Sequence, residues 1–555
     1  MELARVEAAA VVDTAIAEGV RAPERRDATA LDRAARRLGA GRQLLVLDNC
    51  EHVLVAARSA AEQLLSHCPG LVILATSREP LGADGERAWS LPPMAVPPSH
   101  MTDEHEVLAT EAAKLFCDRA QLAAPGGGLR AGRAADVADI CRRLEGLPLA
   151  LELAAAWVPV LSLRQVLERL DDALAMHAPG RDHLGRHRTM RAAVDWSHQL
   201  LTEPQRMAFA RFSVFTGGFM LESAEAVLDD AALEGSSTLE MIATLVARSL
   251  VTSDTSGDVA RYRLLEPVRQ YAADQLRSRP GDERDALSRM LRYLAALAEA
   301  AEGSILGGPD VPWLRRLDAE LANIRSALAW GFENGDDTAA RLATALPLYC
   351  FQRALFAEGL QWARLALPTT GHLRARALLM TGWLAGELGD AAVATEALRE
   401  SNRLMTEGGW HADLVLVLWV QGLADYIRGD LDAMEATGEE AVALASEVGS
   451  PAHMMRALWV PATCANARGD LRRSLDLYGQ AHAIAKQLDN YGWAQLLLSN
   501  CASTALAMED TANGRRMLTE ALQTAGRGDE MVDANLVEAA GALAVQEGQA
   551  IRGLR

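Results

Sequence analysis

Two polar residues stand where ligand chemistry can occur. Asp48 ends an unbroken apolar run, Leu44-Leu45-Val46-Leu47. Arg78 follows a second run, Leu71-Val72-Ile73-Leu74-Ala75, after Thr76-Ser77. A carboxylate closing a strand can hold a magnesium ion through its water shell, because magnesium keeps several waters and adds one or two carboxylates beside phosphate oxygens. A guanidinium at the end of the neighbouring strand offers its planar fork to a terminal phosphate. The pair reads as part of a nucleotide site. The plainer reading, that Asp48 only caps the following helix, fits its position too.

The elements that position these residues follow from periodicity. Apolar runs without alternation suit strands buried on both faces, as in a parallel sheet. Between them Val53, Leu54, Ala57, Ala60, Ala61, Leu64 and Leu65 recur at helical spacing. Pro69-Gly70 turns the chain out of that helix. Strand, helix and strand form one βαβ unit, and open α/β sheets bind ligands at the carboxyl ends of their strands.

Four motifs in order, LLVLDNCEH, ILATSREPLG, GERAWSLPPM and CRRLEGLPLALELAAA, resemble the ATPase module of large bacterial regulators. These are the signal-transduction ATPases with numerous domains, related to the NB-ARC switches, many of which carry a LuxR-type or SARP-type DNA-binding domain. The resemblance covers nearly the whole chain and implies ATP or ADP with magnesium as cofactors. It implies Asp48 on magnesium, Arg78 on phosphate, and Pro148 and Leu149 of the GLPL turn against the base. The carboxylate that often serves as base beside the magnesium residue is replaced by Asn49, and Glu51 is its stand-in.

The family's P-loop, GxxxxGK[ST], is not found. Its amides cradle phosphates and its lysine reaches the β- and γ-phosphates. The two lysines, Lys114 and Lys486, follow no glycine and lie downstream of Asp48. Gly39-Ala40-Gly41-Arg42 carries arginine and precedes a strand. The chain is therefore expected to begin inside the ATPase domain, with Met1 to Ala4 ending the strand beyond the P-loop, and to bind nucleotide weakly.

Composition narrows the functional classes. In 555 residues, Lys and Arg number 55 against 74 Asp and Glu, a net charge of −19. Such a chain is repelled by phosphate backbones, so no direct nucleic-acid binding is expected. Aromatics are only 5%; cores built from Ala, Leu and Val favour packed helices. Seven scattered cysteines, with no CxxC, read as reduced and mostly buried thiols of a cytoplasmic protein. No stretch reaches the ~20 apolar residues of a membrane span.

Along the chain, helical patterns cover Glu7 to Ala17 and Ala28 to Leu38, Ala88 to Leu91 suggests a short strand, and Ala109 to Ala123 and Ala134 to Leu144 are helical. Gly146 stops a helix and Pro148 opens the next. His177, His183 and His187 are read as a surface loop in preference to a metal site. Residues 189–277 resemble the family's winged helix, with Tyr262 to Glu266 as a wing strand and Val268 to Leu276 as the closing helix. Asp195, Glu203, Glu222, Glu225, Asp229 and Asp230 make it too acidic for a groove reader, so a structural or switching use is preferred. Trp313, Trp330 and Trp362 are expected as core anchors. From about 366, Gly389-Asp390, Gly429-Asp430 and Gly469-Asp470 recur every 40 residues, with Glu509-Asp510 in register. Glycine ending one helix and aspartate capping the next mark a tetratricopeptide-like solenoid.

The expected fold is multidomain and mostly α: a partial P-loop-NTPase-like parallel sheet (1–100), a helical lid (101–175), a winged helix (176–280), a helical connector (281–365) and a tetratricopeptide-like α-solenoid (366–555). The expected function is a nucleotide-responsive regulatory switch whose repeats sense a signal or dock a protein partner, with self-association possible. The alternatives are a non-enzymatic scaffold binding partners through its repeats, and a fragment of a LuxR-type transcriptional regulator.

Overall fold

The computed structural model describes residues 1, 3, 12–23, 28–39, 41–50, 53–77, 80–89, 91–98, 101, 103–123, 133–144, 146–176, 191, 194–228, 237–257, 259–524, 540 and 543. The chain divides into two compact units, one formed by Met1–Glu86 with Leu291–Arg555 and the other by Arg87–Met290.

In the first unit, β1 (Gln43–Leu47) and β2 (Leu71–Ala75) pair in parallel, with Leu47 opposite Ala75. The helix Leu54–His67 makes the crossover. The helix Ala30–Leu38 starts at a capping box in which Thr29 and Asp32 satisfy each other's amides. Residues Met1 and Leu3 continue the sheet on the far edge of β1: the Met1 amine donates to the Val46 carbonyl, Asp48 N–H to the Met1 carbonyl, and Leu3 N–H to the Asp48 carbonyl, all at 2.8 Å. The strands are not buried on both faces, as their unbroken apolar runs suggest. Leu45, Leu47 and Leu71 enter a core with Leu3, Ile16, Ala57, Ala60 and Leu64, while Leu44, Val46, Val72 and Leu74 are exposed. Among the described residues of this unit, helices cover only one side of the sheet.

From Leu291 onward the described residues of the first unit are mostly helical. Helix pairs Gly371–Glu387 with Ala391–Gly408, His411–Arg428 with Leu431–Val448, Pro451–Ala467 with Leu471–Gln487, and Tyr491–Ala507 with Thr511–Thr524 stack in order. The turns are those the 40-residue period predicts. Gly389, Gly429 and Gly469 take left-handed φ values of 87°, 75° and 82°, and Glu509 follows at 62°. Asp390, Asp430, Asp470 and Asp510 then accept from the amides of Val393, Ala433, Arg473 and Asn513. The first helix of each pair is buried over most of its surface, whereas the second buries a single stripe. An aromatic column crosses the pairs: Phe351 lies 4.9 Å from Trp383, Trp383 4.9 Å from Trp419, and Trp419 5.5 Å from Trp493. Of the three tryptophans expected as anchors, Trp362 is buried. Trp313 and Trp330 are only half-buried, because the helix Asp310–Glu333 turns other residues, Leu314, Leu317, Ile324 and Leu328, inward.

The second unit begins with an extended segment. No strand forms at the described positions 88, 89 and 91, where Trp89 is 84% exposed and Leu91 75% exposed. The helix expected over Ala109 to Ala123 is broken at Thr110, whose extended backbone separates Glu104–Ala109 from Glu111–Ala123. Helices Ala134–Arg143, Pro148–Ala155 and Leu163–Met176 follow. Next come helices Glu203–Arg211, Leu221–Leu228 and Thr238–Ala247, an antiparallel wing of Thr252–Asp254 with Arg261–Arg263, and the closing helix Glu266–Arg277. That is the order of a winged helix. The three histidines of 177–187 lie outside the described residues.

Candidate nucleotide site

Parallel register brings Asp48 beside Thr76, one residue beyond the Leu47–Ala75 pair. Thr76 is fixed by its backbone, since its N–H donates to the Leu47 carbonyl at 2.8 Å and its own carbonyl accepts from Cys50 N–H at 2.9 Å. Its hydroxyl donates to the Asp48 carboxylate and accepts from Asn49 N–H at 2.9 Å. Asn49 holds a left-handed φ of 64°, a conformation that asparagine tolerates better than most residues. This turn lifts the chain off the strand and leaves Asp48 exposed at the carboxyl edge of the sheet. One carboxylate oxygen is committed to Thr76; hydrogen-bonding capacity remains for a hydrated cation. Asp48 does not cap the helix Leu54–His67, whose N-cap is Val53. Thr76 escaped the sequence reading. Its signal was a hydroxyl residue one step past an apolar strand, in register with the acid.

Glu51 and Arg78 lie outside the described residues. Pro148 and Leu149 belong to the second unit. There Gly146 has φ 66° and approaches the backbone so closely that an added Cβ would sit 2.2 Å from the Met94 carbonyl. Met94 N–H donates to the Gly146 carbonyl at 3.0 Å. Only glycine fits this turn, which places Pro148 at the first helical position and leaves it exposed, with Leu149 half-buried.

Two connections tie these segments to the rest of each unit. In the second, the Trp157 indole donates to Ser197 Oγ at 3.3 Å, and the Arg248 guanidinium stacks 3.7 Å above the Trp157 ring. The helix carrying Pro148 and Leu149 thus runs into a residue held directly by the winged helix. Nearby, burial pulls the His198 imidazole down to about 4, with Arg206 adding to the effect, so this histidine is neutral at pH 7. In the first unit, Arg325 bridges Glu358 at 2.6 Å and Glu18 at 3.3 Å, joining the N-terminal helices to those that lead into the repeats. Burial raises the Glu18 carboxyl, and Arg325 works against that rise.

Other chemistry is not assembled. Among the described residues no group of three His, Cys, Asp or Glu could hold a metal ion. The cysteines are free thiols; burial pushes Cys117 up to about 11 and Cys141 up to about 12, so neither is a thiolate nucleophile at neutral pH. No described helix is long and apolar enough to cross a membrane.

The model of a winged helix-turn-helix domain matches residues 201–277. A Mycobacterium tuberculosis protein named "Putative HTH-type transcriptional regulator" is 35% identical over 508 residues, covering 81% of this chain and 55% of that protein. An uncharacterized protein of the same organism is 39% identical over 268 residues, covering 48% of this chain and 65% of its own. This chain spans about half the length of the first of these relatives. Among solved structures, a Signal Transduction ATPase with Numerous Domains protein with a tetratricopeptide repeat sensor, from Pyrococcus horikoshii, matches at TM-score 0.49 and 11% identity. That match covers 98% of this chain and 78% of that one. The chain is a mostly helical, multidomain protein with a small parallel sheet, a winged helix and a C-terminal helical repeat array, and it is similar to proteins named as HTH-type regulators.

Proposed function

We propose that this chain is the switch-and-sensor portion of a regulatory ATPase of the signal-transduction type, responding to ATP or ADP with magnesium and reading its signal through the repeats. The observation that carries the reading is the Asp48–Thr76 pair at the carboxyl edge of adjacent parallel strands, on a chain that also bears a winged helix and a repeat array. Asp48 would hold magnesium through water. Arg78 would meet the terminal phosphate, Pro148 and Leu149 the base, and Glu51 would stand in as the base for hydrolysis. Nucleotide binding is weak without the amides and lysine of a P-loop.

The similarity to named HTH-type regulators brings a transcriptional role into the proposal for the whole protein. For the winged helix itself we favour a role inside the switch. Residues 201–277 hold seven arginines and no lysine against eleven acidic residues. The helix before the wing, Thr238–Ala247, lacks the Arg, Lys, Asn and Gln side chains that pair bidentately with base edges. The arginine that follows it, Arg248, is stacked on Trp157.

The test is equilibrium binding of fluorescent ADP and ATP, with magnesium, to the purified chain. The expected result is saturable binding in the micromolar range or weaker, reduced at least tenfold by Asp48→Ala and several-fold by Pro148→Ala. A folded sample that binds neither nucleotide overturns the switch reading and supports a non-enzymatic scaffold acting through its repeats.

A further inference from the structure

The 40-residue period places Arg376 and Arg456 at the same position of alternate first helices, two repeats apart. Both reach one position of the next first helix: Arg376 pairs with Asp413 at 2.9 Å, and Arg456 lies over the ring of Trp493 at 4.7 Å. The first helices line the inner side of such a solenoid, the side on which repeat proteins bind partners. Here that position is occupied by the chain itself. Arg376 donates to both carboxylate oxygens of Glu302, near the end of the helix Pro280–Gly307. Arg456 donates to the carbonyls of Ile305 and Leu306, the terminal acceptors of that helix. Asn490 donates to the Ile305 carbonyl at 2.9 Å. Asp310 then accepts from Tyr491 N–H at 3.3 Å and Gly492 N–H at 3.0 Å, at the start of the last first helix. Gly307 lies so near that an added Cβ would meet the Ala452 Cβ at 2.7 Å.

The fit is incomplete in one respect. Arg456 is fully buried, yet among the described residues it makes no ion pair, and its Nε has no hydrogen-bond partner. Its hydrogen bonds go to neutral carbonyls, those of Ile305 and Leu306 at the helix C-terminus and that of Ala452; Trp493 lies against it and Asp310 acts on it from beyond ion-pair distance, a weaker arrangement than a paired carboxylate. A buried cation without a direct counter-ion has binding capacity left over.

We propose that the inner face of the repeats is a receptor for an acidic helical peptide, and that the segment Glu302–Asp310 is a resident stand-in that keeps it closed. The incoming peptide places one carboxylate on Arg376, as Glu302 does, and a second on Arg456, to which no described carboxylate is hydrogen-bonded or ion-paired. This identifies the class of signal read by the sensor, and so rests on the reading of the repeats as a sensor; it needs no nucleotide.

The experiment uses the full chain and a fluorescent synthetic peptide of residues 296–312, with a counterpart carrying lysine at 302 and 310. Two opened chains are made, Glu302→Gln with Asp310→Asn, and Gly307→Val as a wedge that leaves every charge in place. Both should keep the wild-type circular dichroism, expose the amides of 303–309 to faster hydrogen exchange, and bind the acidic peptide at least tenfold more tightly than the wild type does. Arg376→Ala, added to either opened chain, should remove most of that gain, and the lysine counterpart should not bind. If folded opened chains show no faster exchange at 303–309, or bind both peptides alike, the proposal falls. If they bind the acidic peptide while nucleotide binding fails, the receptor stands and the switch reading alone is lost.

Discussion

The repeats and the small sheet begin from similar signals, a polar residue at the end of an apolar element, yet they differ in how far they complete themselves. Each repeat carries its own closure within 40 residues. A left-handed residue ends one helix, an aspartate caps the next, and both helices pack on each other and on their neighbours. The sheet does not. Its strands pair with each other and with Met1 and Leu3, but Leu44, Val46, Val72 and Leu74 form an apolar face that no described helix of the same unit covers. A helix satisfies its backbone locally and needs neighbours only for its stripe. A parallel strand needs partners on two edges and cover on two faces, all from distant sequence. The same local signal therefore specifies a repeat far more completely than it specifies a sheet.

Substitutions can break this contrast at either end. The largest effect is expected from Trp419→Ala, because Trp419 touches Trp383 and Trp493 and so spans three pairs. The expected loss is about 3–5 kcal/mol in urea denaturation followed by circular dichroism, shared by the whole array because stacked repeats are coupled through their interfaces. A loss confined to one pair would mean that the column does not tie the repeats together. Asp430→Ala removes one cap and leaves the packing intact, so about 1 kcal/mol is expected. A change several times larger would show that the turn, more than the stripe, holds the pair. The smallest effect should come from Leu44→Thr combined with Val72→Thr on the open face, within about 0.5 kcal/mol. If that pair costs several kcal/mol, the face is covered in solution and the contrast is overstated.

Legibility followed the same division. The repeats could be read from Gly389-Asp390 and its successors because the chemistry of the turn is local. Even there a second series escaped notice: Gly409 and Gly449 end the second helices in left-handed geometry, and Asp489 continues the series with φ 53°. Its third member is not glycine, which hid the period. The winged helix was visible through its motifs, although the wing strands, three residues each, were too short for periodicity to bound them. At the sheet, the apolar runs revealed the strands but not their faces, because a run without alternation carries no record of which side is covered. Thr76 became meaningful only once register placed it beside Asp48. Trp89 looked like part of a strand and is exposed instead, since no neighbouring strand pairs with it among the described residues.

The segment Glu302–Asp310 has a consequence for how any sensor built on this array would respond. A ligand tethered to its own receptor acts at an effective concentration on the order of millimolar when the linkage is short. A free peptide must compete with that constant internal supply, so its apparent affinity falls by the factor with which the tether fills the site. If the tether is 99% seated, a peptide that would bind the bare surface at ~1 μM needs roughly a hundredfold more to occupy half of it. The helix end thus sets a threshold: traces of partner are ignored, and abundance is answered. Weakening Glu302 or Asp310 would lower that threshold without altering the surface that reads the partner, so sensitivity and specificity are written in different residues.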